Sequence, residues 1–270
     1  MTSTETYELS YMGANLVAQQ LAWNMTEGWM QGDDAANAYY RPVETFEERF
    51  GAFVDLAVEA GFKTIDVWTG QLNWTWATDA HLSAARRVLD ARGVQVASYA
   101  GSFGKTADDF QRVCDVAAAL NTTILGGICE ALAQDREGVL EILRRTGRIL
   151  ALENHPEKTP AEILARIGDD HDVLGTAVDT GWWGTQGYSA ADAIRELGAT
   201  VKHVHLKDIK AEGAHESCAL GDGVVPIEGC LKEMAAMGYN GPVSIEHEPD
   251  TYDPTPEVIE SKRRVLAWTS

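Results

Sequence analysis

Glu153, Asp179, His205 and Glu246 each stand where a short apolar run gives way to polar chain. They close the stretches Leu152-Glu153-Asn154-His155, Val178-Asp179-Thr180, His203-Val204-His205-Leu206-Lys207-Asp208 and Ile245-Glu246-His247-Glu248. Three carboxylates and one imidazole suit a hard or borderline divalent cation, Mn2+ first, with Mg2+ or Co2+ as alternatives. The three negative groups offset the charge of the cation and leave coordination positions for substrate oxygens. Any one of the four, taken alone, reads as a helix cap, a surface charge or an ion-pair partner. The same placement at the ends of four successive runs favours a shared site.

A shared site needs a scaffold that converges those run ends. Short runs rich in β-branched residues alternate with segments of helical period, the signature of β/α repetition. Strands are expected at Tyr7–Met12, Thr64–Trp68, Val94–Tyr99, Thr122–Leu125, Ile149–Glu153, Val173–Asp179, Val201–Leu206 and Val243–His247. Helices are expected at Glu44–Ala60, Asp79–Arg92, Thr106–Leu120, Glu137–Thr146, Pro160–Ile167, Ala190–Leu197, Glu228–Met237 and Pro256–Trp268. Thr45, Thr106, Thr159 and Ser189 offer N-caps. Eightfold alternation predicts an α/β fold, a (β/α)8 barrel over residues 1–270 as one domain. The rival, an open doubly wound sheet, would place a Gly-rich phosphate loop after strand one, and none is written there. In a barrel the C-terminal strand ends share one mouth, which brings the four ionisable groups together.

Residues 13–43 separate strand one from helix one, far more chain than an ordinary βα connection. The segment carries Trp23, Asn24, Trp29, Tyr39 and Tyr40, with Gly28 and Gly32 as hinge candidates, and reads as a long aromatic loop over the mouth. Trp68, Trp74 and Trp76 follow strand two and reinforce that wall. On strand seven, His203 and Lys207 share the inward parity of His205. His203, lying deeper, reads as a hydrogen-bonded core residue, and Lys207 as a ligand for a substrate oxygen or a counter-charge. His247 should point away from the axis, and Glu248 should reach the rim.

With 41 acidic against 22 basic residues and a formal charge of −19, the chain repels phosphate backbones, so a nucleic-acid partner is not expected. No apolar run approaches the roughly 18 to 20 residues that cross a bilayer. The N-terminal MTSTETYELS lacks the basic start and apolar stretch of a secretion signal, so a cytoplasmic protein without membrane contact is expected. Cys114, Cys129, Cys218 and Cys230 have no zinc spacing and read as core or surface residues.

The motifs ALENHP, VDTGW, KHVHLKD, GDGVVP and SIEHEP resemble those of the xylose isomerase-like barrels. The resemblance spans essentially the whole chain and is strongest from residue 149 to 249. That superfamily holds sugar isomerases, ketose 3-epimerases, inosose dehydratases, dehydroshikimate dehydratases and endonuclease IV-type repair enzymes. The resemblance puts the family's four-ligand metal site on Glu153, Asp179, His205 and Glu246, and the epimerases' proton-handling glutamates on Glu153 and Glu246. One position departs: where the epimerase pattern has a substrate-binding His three residues after the strand-six Asp, this chain has Trp182. The nuclease branch would need further metal-ligating histidines and a basic groove, neither of which is present.

The chemistry that follows is proton transfer next to a carbonyl, through an enediolate stabilised by the metal. Glu153 is the first acid/base candidate and Glu246 the second, giving a sugar isomerase or epimerase. With a leaving group β to the carbonyl, the same intermediate expels it. The alternative is therefore a lyase or dehydratase acting on an oxidised sugar, an inosose or a 3-keto-C-glycoside, resembling C-glycoside deglycosidase subunits. His155 would then serve the leaving group. A non-catalytic sugar-binding subunit is the third reading. Lys207, Trp182, Trp23 and Trp68 are the substrate-contact candidates. The resemblance implies a small sugar substrate and a homo-oligomer, or a hetero-oligomer under the lyase reading.

Overall fold

The computed structural model describes residues 7–270. The strands are β1 (Leu9–Met12), β2 (Thr64–Trp68), β3 (Gln95–Ser102), β4 (Ile124–Ile128), β5 (Ile149–Glu153), β6 (Leu174–Asp179), β7 (Val201–Leu206), β8 (Asp208–Ile209), β9 (Ser217–Cys218) and β10 (Val243–Ile245). Eight of them close into a parallel barrel in the order β1-β10-β7-β6-β5-β4-β3-β2, while β8 and β9 form a separate antiparallel ribbon. The helices are α1 (Trp29–Tyr40), α2 (Val43–Glu59), α3 (Asp79–Arg92), α4 (Ala107–Ala119), α5 (Ala131–Gln134), α6 (Arg136–Thr146), α7 (Pro160–Ile167), α8 (Thr180–Thr185), α9 (Ala190–Leu197), α10 (Ile227–Ala236) and α11 (Thr255–Trp268). The chain is a TIM barrel, as its β/α alternation predicts. Residues 1–6, which carry most of the N-terminal leader reading and the first part of the 1–270 domain expectation, lie outside the described residues.

Local chemistry sets the helix ends. Thr106 accepts from the Asp109 amide at 3.1 Å while the Asp109 carboxylate accepts from the Thr106 amide, a reciprocal cap on α4. Ser189 caps α9 through the Asp192 amide. Thr45 is not a cap: α2 begins two residues earlier, after Pro42, and the Thr45 hydroxyl turns back to the Pro42 carbonyl. The apolar faces of these helices bury Phe46, Phe50, Phe53, Val113, Leu143 and Ile194 against the barrel exterior. The four cysteines are free and buried. Among the described residues no helix is long and apolar enough to cross a membrane.

Three strand ends differ from the sequence-based expectation. β3 runs to Ser102 and β4 to Ile128, because Gly126 and Gly127 continue the ladder, pairing with Ala100 and Gly101. A Cβ on Gly127 would stand 1.9 Å from the Gly101 carbonyl oxygen, so this pairing requires glycine there. At the other side of the barrel β10 stops at Ile245 instead of His247. The Glu246 amide still donates to Leu206, but the next amide, His247, donates to the Asn15 side chain at 2.8 Å.

The segment 13–43 is not a loop. It holds two 3-10 turns, Gly13–Leu16 and Gln19–Leu21, and then α1. Close packing overrides weak local propensity here: Gly32 lies so near Val17 that a Cβ would approach the Val17 carbonyl to 2.5 Å. Trp76 braces this region and Trp74 the end of β3, and neither lines the mouth. The Trp76 indole donates to Asn37 on α1, and the Trp74 indole to the Ser102 carbonyl.

Inside the barrel lies a polar layer. Asp66 on β2 is fully buried and accepts from Ser10, Ser98 and Ser244, on β1, β3 and β10. His203 Nε2 completes the ring at 2.8 Å from Asp66 Oδ1. Burial alone would push the Asp66 carboxyl up, but His203 and the hydroxyl donors outweigh it and bring it down to about 2.

Candidate metal and substrate site

Above that layer, the C-terminal strand ends line a cavity of about 850 Å³. Glu153 ends β5, Asp179 ends β6, His205 is the penultimate residue of β7 and Glu246 directly follows β10. His205 Nδ1 lies 3.0 Å from Glu153 Oε1 and also 3.0 Å from Glu246 Oε2. Donor atoms of Glu153, His205 and Glu246 fall within 4.8 Å of one another, and so do those of Glu153, His155 and Asp179. Glu153 belongs to both groups and joins them.

The arrangement fits a cation. One imidazole N–H cannot point at two carboxylates at once, and Glu246 Oε2 is buried without a well-directed hydrogen bond. Burial disfavours the ionised form of Glu153, yet His155 and His205 hold it well below the usual carboxylate range. Glu246 is lowered against its own burial by Lys207 and His205. Reciprocally, burial opposes the charge on His205, but Glu153 and Glu246 raise its pKa well above the ordinary histidine value. Four crowded, largely buried donors of this type are the kind of set that a divalent ion completes.

The chain around each donor fixes its aim. Asn154 is fully buried; its amide donates to the Asp179 carbonyl at 3.0 Å and its carbonyl accepts from the Asp179 amide at 2.7 Å. Asp179 Oδ1 caps α8 through the Trp182 amide, leaving Oδ2 toward His155 at 3.4 Å and Lys207 at 3.9 Å. The Thr180 hydroxyl bridges the backbone of Lys207, donating to its carbonyl and accepting from its amide. Asp208 gathers the amides of Ile209, Gly221, Gly223 and Val225 at 2.9–3.0 Å and so anchors the Gly221-Asp222-Gly223 turn. A Cβ on Gly223 would stand 2.2 Å from the Ile209 carbonyl oxygen, which explains the glycine.

His155 reaches the cavity with its side chain 28% exposed, against 1% for Asp179. Burial depresses its basicity, but Glu153 and Asp179 prevail and raise its pKa to about 10. Lys207 Nζ lies 2.8 Å from Glu246 and 2.6 Å from Glu248. Trp182 walls the cavity, edge-on to His155 at 4.3 Å between ring centroids. Trp68 also lines it. Trp23 does not: the chain turns there at φ 59°, and its side chain packs against the buried clusters. Trp29 takes that place, edge-on to Trp68 at 5.3 Å, with its indole donating to Glu248 at 3.0 Å. His247 is buried against Ser217 and Glu257.

Sequence reasoning assigned no role to Asn154, Asp66 or Tyr252, the last of which lines the cavity. The partners of Asn154 and Asp66 lie on other strands, and periodicity does not report such pairings, whereas Tyr252 bonds His247 and Glu257, five residues to either side. Trp29 carried a visible signal, an aromatic in an over-long βα connection, but not its target.

A family model described as xylose isomerase-like TIM barrel matches residues 54–267. A Streptomyces coelicolor protein named "Putative hydroxypyruvate isomerase" is 26% identical over 238 residues, covering 72% of this chain and 83% of that one. The L-ribulose-5-phosphate 3-epimerase UlaE of Shigella boydii matches locally, 38% identical over 80 residues and 28% of each chain. Among solved structures, a xylose isomerase-like TIM barrel protein from Mycobacterium smegmatis in complex with magnesium superposes with a TM-score of 0.70. It is 20% identical and is matched over 100% of this chain and 98% of that one. The chain belongs to the xylose isomerase-like TIM barrel family.

Proposed function

We propose that the protein is a divalent-metal-dependent isomerase or epimerase of a small sugar, with Glu153, Asp179, His205 and Glu246 as ligands and Mn2+ as the ion. The observation that carries this reading is the meeting of Glu153, His205 and Glu246 donors within 4.8 Å at the barrel mouth. A cation held there would act as a Lewis acid on a substrate carbonyl, lowering the cost of charge that develops when the neighbouring proton leaves.

The chain's own residues supply the proton traffic. Glu153 and Glu246 both ionise readily here, held in the charged form by His155, His205 and Lys207. Glu153 takes the α-proton and Glu246 returns one; return to the same carbon epimerises, and return to its neighbour isomerises. Lys207 holds Glu246 and Glu248 in place and offers its ammonium to a substrate hydroxyl. Trp182 gives the sugar an apolar face to lie on.

One observation favours a second reading. His155 is partly exposed in the cavity, and in the metal-free site the charges of Glu153 and Asp179 overcome burial and favour its protonated form. It can donate that proton to a departing oxygen, as β-elimination from an oxidised sugar, an inosose or a 3-keto-C-glycoside would require.

Chelator treatment tests the metal-dependent reading. Stripped protein should lose activity on free ketoses, and one equivalent of Mn2+ per chain should restore it. Full activity in protein shown to be metal-free would overturn the assignment.

A further inference from the structure

The cavity has two chemically different halves. Every ionisable side chain that lines it comes from β5 onward, including Glu153, Asp179, Lys207 and Glu246. The part built by β1 to β4 and the segment after β1 contributes none among the described residues; there the walls are Met12, Trp29, Met30, Trp68 and Ile128. Trp29 and Met30 remain 39% and 62% exposed at the mouth. The Trp29 ring is nonetheless held in one orientation, by its indole bond to Glu248 and its edge-on contact with Trp68. An aromatic surface fixed in advance and left facing a cavity binds a planar apolar group with little loss of side-chain entropy.

Charge and size narrow the ligand further. No arginine lines the cavity among the described residues, and its one lysine, Lys207, is already shared between Glu246 and Glu248. Glu216 and Asp250 add further negative charge at the wall. A phosphate would meet repulsion without a bidentate donor to offset it. The volume, about 850 Å³, lies in the upper part of the range of roughly 300 to 1,000 Å³ that suits drug-sized ligands. A free monosaccharide would leave the aromatic half empty.

We infer that the substrate is an uncharged, polyoxygenated ring joined to an apolar planar group, the ring at the carboxylate half and the planar group against Trp29, which the buried Trp68 backs. This deepens the reading above and rests on it only for the placement of the ring.

Calorimetric titration of the full chain with phenyl β-D-glucoside, methyl β-D-glucoside and glucose 6-phosphate tests it, in both Mn2+-loaded and chelator-stripped protein. The phenyl glycoside should bind at least about tenfold more tightly than the methyl glycoside, from apolar burial and ring contact. Glucose 6-phosphate should bind most weakly. Trp29→Ala, at a partly exposed position, should bring the phenyl-to-methyl ratio close to one, and Trp68→Leu should lower it in protein whose circular dichroism is native. The ratio should survive removal of the metal, so a failure of the metal assignment would leave it standing. Equal affinities for the two glycosides, tightest binding of the phosphate, no binding of any probe, or an unchanged ratio in Trp29→Ala would each overturn the inference.

Discussion

Nδ1 of His205 lies 3.0 Å from Oε1 of Glu153, two side chains 52 residues apart in sequence that meet where their strands end. In the metal-free protein Glu153 and Glu246 raise the pKa of His205 well above the ordinary value, so the ring carries an extra proton at neutral pH. A cation binding at Nδ1 has to displace it. Metal binding at pH 7 should therefore release at least one proton per chain, more if the ion also offsets the Glu153 and Asp179 charges that hold His155 protonated, and affinity should fall as pH is lowered. Calorimetry in two buffers of different ionisation enthalpy measures the release. Equal apparent enthalpies in both would mean that His205 is not a ligand.

Asn154 bonds the backbone of a candidate ligand and not its carboxylate: its amide grips the Asp179 backbone on both sides. Asn154→Ala keeps all four candidate ligands and frees the orientation of one. By analogy with outer partners of metal ligands, Mn2+ affinity should drop roughly 10- to 100-fold. Competition against a fluorescent chelator would show it. An unchanged affinity in folded protein would remove Asp179 from the ligand set or Asn154 from its support.

Asp66 supports the barrel from within. Replacing it with Asn leaves His203 and three hydroxyls facing a neutral amide in a buried site, at an expected loss of about 3 kcal/mol, measured by urea unfolding. The pH dependence has a definite sign. The folded pKa of about 2 lies below the ordinary aspartate value of 3.8, so Asp66 contributes stability above about pH 4 that is lost as pH falls toward 2. The Asn variant should lose less stability than the wild type over that interval, and an identical decline in both would contradict this assignment.

The barrel and the convergence of the four candidate ligands were legible because both depend on strand order. In a parallel barrel, a residue such as Glu153 or Asp179 at a strand's C-terminal end has only one place to be. What stayed hidden depends on which side chains meet across the barrel. Asp66 collects Ser10 and Ser244, which lie 56 and 178 residues away. Trp29 reaches Glu248 over 219 residues. α1 was hidden for a different reason. Gly32, Asp33, Asp34 and Asn37 are weak helix formers, and the helix is stabilised by close contact with Val17 and the Asn37–Trp76 bond. The early end expected for strand four has the same origin, since the paired glycines weaken a strand on propensity alone but are required by the approach of Gly101.

Proton NMR in D2O tests the central claim most directly, with Mg2+ replacing paramagnetic Mn2+ and a panel of free ketoses, inososes and 3-keto-glycosides. The account predicts deuterium appearing α to a carbonyl with the carbon skeleton retained, dependent on metal and abolished in Glu153→Gln. A new alkene or a released aglycone would instead establish the elimination reading. Absence of exchange with every compound, in protein shown to hold one metal per chain, would contradict the claim that these carboxylates move a substrate proton.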